Sequence, residues 1–245
     1  MSVELPEPLP RNHYIRLALI LVGAIALRFW HLGSKSLWLD EVIGALFTLG
    51  RGLDAVPLST IFPLTELANI FAYQPGQSCA QITQAVATES VHPPLFFCLQ
   101  YHWLWLWLPL LSTGITESGT HILASPHWIW ALRSLPAFLG VLCVACTYIL
   151  TRLIVSPSTG LMAAALMAVS PFAVYLSQEA RHYTLPMFWT LLALIGLVLI
   201  QRRILGDRPL PWLLLLGWSL INSLGLYTHY FFLLDFTAQG MALGG

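Results

Sequence analysis

The chain has 245 residues, of which 57% are hydrophobic and only 9% are charged, and its formal net charge is zero. A soluble domain of this length does not need so large an apolar fraction, so the composition indicates an integral membrane protein. The net charge of zero says nothing about nucleic acid, but the sequence has no basic cluster that would suggest a nucleic-acid partner.

The predicted elements begin with a polar, proline-rich cytoplasmic tail over 1–13, followed by a first apolar span over 14–30. Further apolar runs predict spans over 128–154, 159–176, 184–200 and 211–234. Each run can cross a hydrocarbon layer of ~30 Å at ~1.5 Å per residue. The predicted fold is an all-α polytopic bundle of about five transmembrane helices within one domain over 14–245. The first outer loop, 31–127, is too long for a passive connector, and we expect surface-lying helices in it.

Arginine positions predict the orientation of the spans. The loop 201–209 contains three arginines and is the strongest cytoplasmic signal, and Arg11 with Arg16 near the start is the second. With both on the cytoplasmic side, the apolar segment 94–111 begins and ends on the outer face. Parity therefore favours an interfacial helix for this segment, and its interleaved aromatic residues suit that position. A sixth span is the alternative.

This topology gathers the conspicuous polar residues at the outer face, namely Asp40, Glu41, His92, Arg133, Glu179, Arg181, Tyr183 and His229. Ionisable residues grouped at one bilayer edge indicate a polar site there. A carboxylate can act as general base on an acceptor, and nearby Arg and His can stabilise the phosphate leaving group of a lipid-linked donor. The pattern therefore predicts group transfer from a lipid carrier.

Simpler interpretations of these residues stay open. Asp40 and Glu41 can cap the helix that follows them, because acidic residues stabilise a helix start. Glu179 and Arg181 can form a surface ion pair, and His229 can be a hydrogen-bonded packing residue.

The four cysteines give no clear chemical motif. Cys143 and Cys146 lie inside a continuous apolar run, which favours packing over redox or metal binding. Only Cys79 is expected to meet an aqueous compartment.

Six short segments together resemble the GT-C class of membrane glycosyltransferases, in particular the superfamily of protein O-mannosyltransferases and aminoarabinose transferases. They are Trp-Leu-Asp-Glu at 38–41, His-Pro-Pro-Leu at 92–95, Arg-Ser-Leu-Pro at 133–136, Ser-Pro at 170–171, Ser-Gln-Glu-Ala-Arg-His-Tyr at 177–183 and Tyr-Thr-His-Tyr at 227–230. The resemblance extends over 14–234, and its specificity comes from the order and spacing of the segments.

The resemblance implies an inverting transfer of a hexose or pentose from a polyprenyl-phosphate donor, at the outer face of the plasma (inner) membrane. It makes Asp40 the catalytic base with Glu41 as its partner, and it makes the other six outer-face residues substrate-binding. It identifies no certain cofactor and no metal ligands, and it leaves a divalent cation and the acceptor (lipid, glycan or protein) open. Relatives are about twice as long, so we expect an N-terminal fragment. The alternative is a non-catalytic membrane protein, either an inactive fragment or a transporter-like module.

Overall fold

The computed structural model describes residues 9–57, 59–116, 119–123 and 127–244, and most of the predicted tail therefore lies outside it. The helices are α1 (Arg11–Phe29), α2 (Leu39–Thr48), α3 (Leu64–Ile70), α4 (Cys79–Glu89), α5 (Leu95–Leu111), α6 (Trp128–Ile154), α7 (Pro157–Val169), α8 (Pro171–Ser177), α9 (Thr184–Leu205), α10 (Trp212–Leu226) and α11 (Phe232–Gly244). A 3-10 turn at Leu53–Ala55 and an antiparallel pair of two-residue strands, β1 (Gly114–Ile115) and β2 (His121–Ile122), complete the described elements. The predicted all-α polytopic bundle is confirmed.

Three described helices, α1, α6 and α9, are long and apolar enough to cross a membrane. They cover the predicted spans 14–30, 128–154 and 184–200. The predicted span 159–176 is instead a pair, α7 and α8, bent by 61°, which gives up to four spans if the pair counts as one. The bend occurs at Ser170, whose hydroxyl accepts from the Ala173 amide at 3.4 Å and so starts a new helix at Pro171.

The prediction of one continuous span over 211–234 is wrong, because α10 ends at Leu226 and α11 begins at Phe232. The two helices fold back on each other, and the Gln239 amide donates to Asn222 at 3.1 Å. The Phe232 ring packs where a Cβ of Gly225 would otherwise lie. A hydropathy run cannot show this turn, since both helices are apolar.

The long helix α6 is the centre of the bundle and packs against α1, α5, α7, α8 and α9. Arg28 of α1 is fully buried beside the bend. Its guanidinium donates to the carbonyl oxygens of Ala168 at 3.0 Å and Met167 at 3.2 Å. Arg28 therefore satisfies carbonyls at the end of α7 that have no helical partner.

Within 31–127, helix α5 packs against α6, and α2 and α4 pack against α5. A disulfide between Cys79 and Cys98, with Cα atoms 5.4 Å apart, joins α4 to α5. Along α5, Gln100 donates to the Leu132 carbonyl at 2.6 Å and Trp103 donates to Ser134 at 2.8 Å. These bonds reach only the first turns of α6, which supports a surface-lying α5, and this orientation stays a prediction.

Candidate active site

Asp40 and Glu41 lie in the first turn of α2, where successive side chains point about 100° apart. The Trp38 amide, just before the helix, donates to Glu41 at 3.3 Å, so the acidic pair does cap the helix start, as the simpler interpretation expects. Capping uses only Glu41. The two carboxylates consequently face different surroundings.

Glu41 is fully buried and its oxygens accept from three separate parts of the chain. Arg133 donates to it through Nε at 2.8 Å and through Nη2 at 2.7 Å, and the Ala180 amide donates at 2.7 Å. With the bond from Trp38, each oxygen accepts two hydrogen bonds. The geometry therefore favours a positioning role for Glu41 over the predicted catalytic one.

Arg133 is buried with Glu41, and the remaining donors of its guanidinium bind main-chain oxygens. Nη1 donates to Leu32 at 3.0 Å and to Lys35 at 2.9 Å, and Nη2 donates to Ser36 at 3.1 Å. All five N–H groups of this side chain are thus used inside the protein. Arg133 holds the segment after α1 in place, and no donor is left for the predicted substrate contact.

Asp40 faces a cavity of about 300 Å³ that His92, Arg181 and His182 also line. Its carboxylate lies 3.2 Å from Nη1 of Arg181, and the Asp40 side chain is 37% exposed. The structure therefore brings together three residues that the sequence predicted in separate segments: Asp40, His92 and Arg181.

Arg181, which lines this cavity, is held in place by several contacts. It donates through Nη1 to the Asp40 carbonyl at 3.2 Å and through Nη2 to the Tyr183 hydroxyl at 3.3 Å, and its guanidinium lies over the Tyr183 ring at 5.3 Å. Its buried Nε has no hydrogen-bond partner among the residues that the structure describes. Arg181 therefore places a positive charge at the cavity wall, with its side chain 16% exposed.

Three histidines from three loops meet beside this cavity: His92 and His182 line it, and His229 packs against His182. The ring of His182 lies 4.6 Å from that of His92 and 5.1 Å from that of His229, centroid to centroid. Burial, helped by the neighbouring His92, Arg181 and His229, lowers the pKa of His182 to about 3. Burial is also the main cause that lowers the pKa of His92 and of His229. All three rings are thus neutral at pH 7. His182 is not among the predicted site residues, although it lies between Arg181 and Tyr183, which are.

Glu179 lies away from Asp40, in a second cavity of about 530 Å³ beside Trp30, Trp38 and Tyr175. The structure therefore brings Glu179 together with Glu41 and Arg133, which also line this cavity, and separates it from Asp40, His92 and Arg181. Its neighbour Gln178 donates to the Leu27 and Trp30 carbonyls at 3.0 and 3.1 Å, and so caps the end of α1.

A mostly apolar groove of about 470 Å³ approaches the histidines from the side of the bundle. Met187 and Leu191 of α9 and Phe232 of α11 line it, and Tyr183 and His229 also border it. His229 therefore lies at a junction between an apolar groove and the three-histidine cluster.

One family of known proteins matches the chain. Residues 109–235, just over half of the chain, match the family described as dolichyl-phosphate-mannose-protein mannosyltransferase. No curated protein and no solved structure matches. The matched part contains Arg133, Glu179, Arg181, Tyr183 and His229, whereas Asp40 and His92 precede it.

Proposed function

Because the chain belongs to the dolichyl-phosphate-mannose-protein mannosyltransferase family, of the GT-C type, we propose that it transfers a sugar from a polyprenyl-phosphate donor to an acceptor, with inversion. Membership supports a multi-pass membrane glycosyltransferase in general. The donor, the inversion and the use of Asp40 as general base are proposals that start from the geometry of the cavity.

The observation that carries the proposal is the meeting of Asp40, Arg181 and the histidines at a cavity that the apolar groove approaches. A polyprenyl-phosphate sugar has an apolar tail, an anionic phosphate and a polar sugar. The groove beside Tyr183 and His229 suits the tail, and the cavity suits the head group. The phosphate then lies near Arg181, the guanidinium that lines the cavity.

The reaction follows from these positions. Asp40 accepts the proton of an acceptor hydroxyl or amine, whose lone pair attacks the anomeric carbon of the sugar opposite the phosphate. The bond between the anomeric carbon and the phosphate oxygen breaks, and its electron pair leaves with the phosphate. Arg181 stabilises that negative charge by hydrogen bonding. A single displacement of this kind inverts the anomeric centre, and the proton remains on Asp40.

Two features support an active face on the non-cytoplasmic side. The Cys79–Cys98 disulfide lies in the first outer loop, and disulfides persist in oxidising compartments outside the cytosol. The last turn of α9, at the opposite end of the helix from Arg181, carries Arg202 and Arg203, and the turn after it carries Arg208, as cytoplasmic ends do. Together they support an Asp40 that faces the periplasm or the exterior.

The transporter-like alternative draws on the bent pair α7 and α8, because broken helices line ion sites in many transporters. In those sites, unpaired carbonyls at the break coordinate the ion. Here Arg28 occupies the carbonyls of Met167 and Ala168. These carbonyls are therefore not available to an ion, which favours the transferase over the transporter-like alternative.

The test replaces Asp40 with Asn in the chain reconstituted with a polyprenyl-phosphate sugar. Because a general base contributes about 10²–10⁴-fold to a rate, Asp40→Asn should lower sugar transfer by at least about 100-fold. The matched control is Asp54→Asn, an exposed acidic residue of the same loop, which should transfer at the wild-type rate. Transfer by Asp40→Asn within a few-fold of wild type, with normal membrane insertion, would remove Asp40 as the base.

A further inference from the structure

We propose that His92, His182 and His229 form a binding site for a divalent transition-metal ion, with Zn²⁺ as the reference ion. The side chains offer one nitrogen each, and these atoms lie within 4.8 Å of one another. The three residues come from the loop before α5, the α8–α9 loop and the α10–α11 turn. An ion there would join three separate segments of the bundle.

The spacing requires a small contraction on binding. Nitrogens bound to a tetrahedral Zn²⁺ at about 2.1 Å lie about 3.4 Å apart. The three rings are carried by loops rather than by helix interiors, so they can move inward without shifting a span. Three protein ligands leave a fourth position open toward the Asp40 cavity, as in catalytic zinc sites.

A hydrogen bond orients the His92 ring for coordination, and the His182 ring has a buried nitrogen without a partner. Nδ1 of His92 lies 3.0 Å from the Ser90 hydroxyl, and this contact leaves Nε2 of His92 for a ligand. His182 is only 3% exposed, and its buried Nε2 has no hydrogen-bond partner among the described residues. A buried polar atom without a partner costs free energy, and a bound ion would supply the partner.

His229 must change one bond to complete the site. Its Nδ1 accepts from the Phe231 amide at 3.1 Å, which places the ring proton on Nε2. Coordination through Nε2 requires that proton to move to Nδ1, so the Phe231 amide must turn away. His229 is only half-buried, and it lies in the short turn between α10 and α11. We therefore assign it as the ligand that closes the site last.

The surrounding charge and the donor type select the class of ion. Two acidic residues, Asp40 and Glu89, and one cationic residue, Arg181, line the adjoining cavity. The charged side chains of this lining therefore carry no net positive charge that would repel a divalent cation. Neutral imidazoles suit Zn²⁺ and related transition ions, whereas Mg²⁺ and Ca²⁺ prefer oxygen ligands.

The test measures Zn²⁺ binding to the chain in detergent, without a polyhistidine tag, by competition with a chromophoric chelator. We expect one Zn²⁺ per wild-type chain. His92→Gln and His182→Gln should each bind Zn²⁺ at least about 10-fold more weakly. His102→Gln, which changes an exposed histidine of α5 outside the cluster, should bind as the wild type does.

Several outcomes would overturn the proposal. These are no stoichiometric Zn²⁺ binding by the wild type, or equal affinity in the cluster variants and in His102→Gln. Binding of inorganic phosphate at the same histidines without Zn²⁺ would replace the metal site with an anion site. If both cluster variants misfold, the wild type loaded with Co²⁺ decides, since a tetrahedral visible spectrum supports the site and an octahedral one refutes it. No donor sugar is involved, so failure here leaves the proposed transferase function standing.

Discussion

The carboxylates of the neighbouring residues Asp40 and Glu41 differ in their exposure to solvent. Glu41 is fully buried, whereas the Asp40 side chain is 37% exposed and faces a cavity. The sequence shows an acidic pair at the membrane edge but not which member is buried, because the partner of Glu41 is Arg133, 92 positions later. A long-range contact therefore decides which of the two carboxylates is buried and which faces the cavity.

The buried pair gives a stability prediction at this scale. Glu41→Gln keeps the shape of the side chain but leaves the charge of Arg133 unpaired in the interior. Breaking a buried ion pair costs about 3–5 kcal/mol, and we expect a loss of that size in the free energy of unfolding. Denaturation in mixed micelles measures it, with Glu66→Gln, at an exposed position in α3, as the neutral control.

A loss below about 1 kcal/mol, which is the range of a surface pair, would contradict the assignment. Replacing both partners by apolar residues should restore only part of the stability. The carbonyls of Leu32, Lys35 and Ser36 also depend on Arg133, and they would lose their donor.

At the scale of elements, the close approach of α8 to α6 depends on Gly140. A Cβ at Gly140 would lie 2.8 Å from the Cβ of Ser177 and 2.9 Å from Nε of Arg28. Only a residue without a side chain allows this approach. The α8–α9 loop, which carries Arg181 and His182, begins directly after Ser177, so this contact also positions the site.

Gly140→Ala should therefore destabilise the chain by about 1–3 kcal/mol through overpacking, despite the better helix propensity of Ala. Sugar transfer should fall as well, because the displaced α8 carries the loop of Arg181. The matched control is Gly217→Ala in α10, where nothing lies within 4 Å of the added Cβ. Unfolding measurements check both, and equal stability of the two variants would show that α8 adjusts freely.

At the scale of the whole molecule, the sequence predicts correctly the features that depend on neighbouring residues along the chain. Apolar length predicts α1, α6 and α9, and outer-face position brings Asp40, His92 and Arg181 into one group. The sequence does not predict the features that depend on long-range contacts, nor a turn between two apolar helices. The α10–α11 turn lies inside one hydropathy run, and the pairing of Cys79 with Cys98 depends on how α4 docks on α5.

Topology gives a prediction for the complete chain. Ile115→Cys, at a side chain 64% exposed in the first outer loop, should react with an impermeant maleimide on intact cells. Gly206→Cys, in the α9–α10 turn, should react only after permeabilisation. The native cysteines give no background, because two are buried and two form the disulfide. Reaction of Ile115→Cys only after permeabilisation would instead make α5 a span.

The Glu41–Arg133 pair also has a consequence for the order of biogenesis. A chain is synthesised from its N-terminus, so Glu41 emerges well before Arg133, and the Ala180 amide that completes its hydrogen bonds comes later still. Until α6 inserts, water must solvate the carboxylate. Asp40 can face Arg181 only after α8 is in the membrane. A nascent chain therefore carries no assembled site until the α8–α9 loop has left the ribosome and joined the earlier segments.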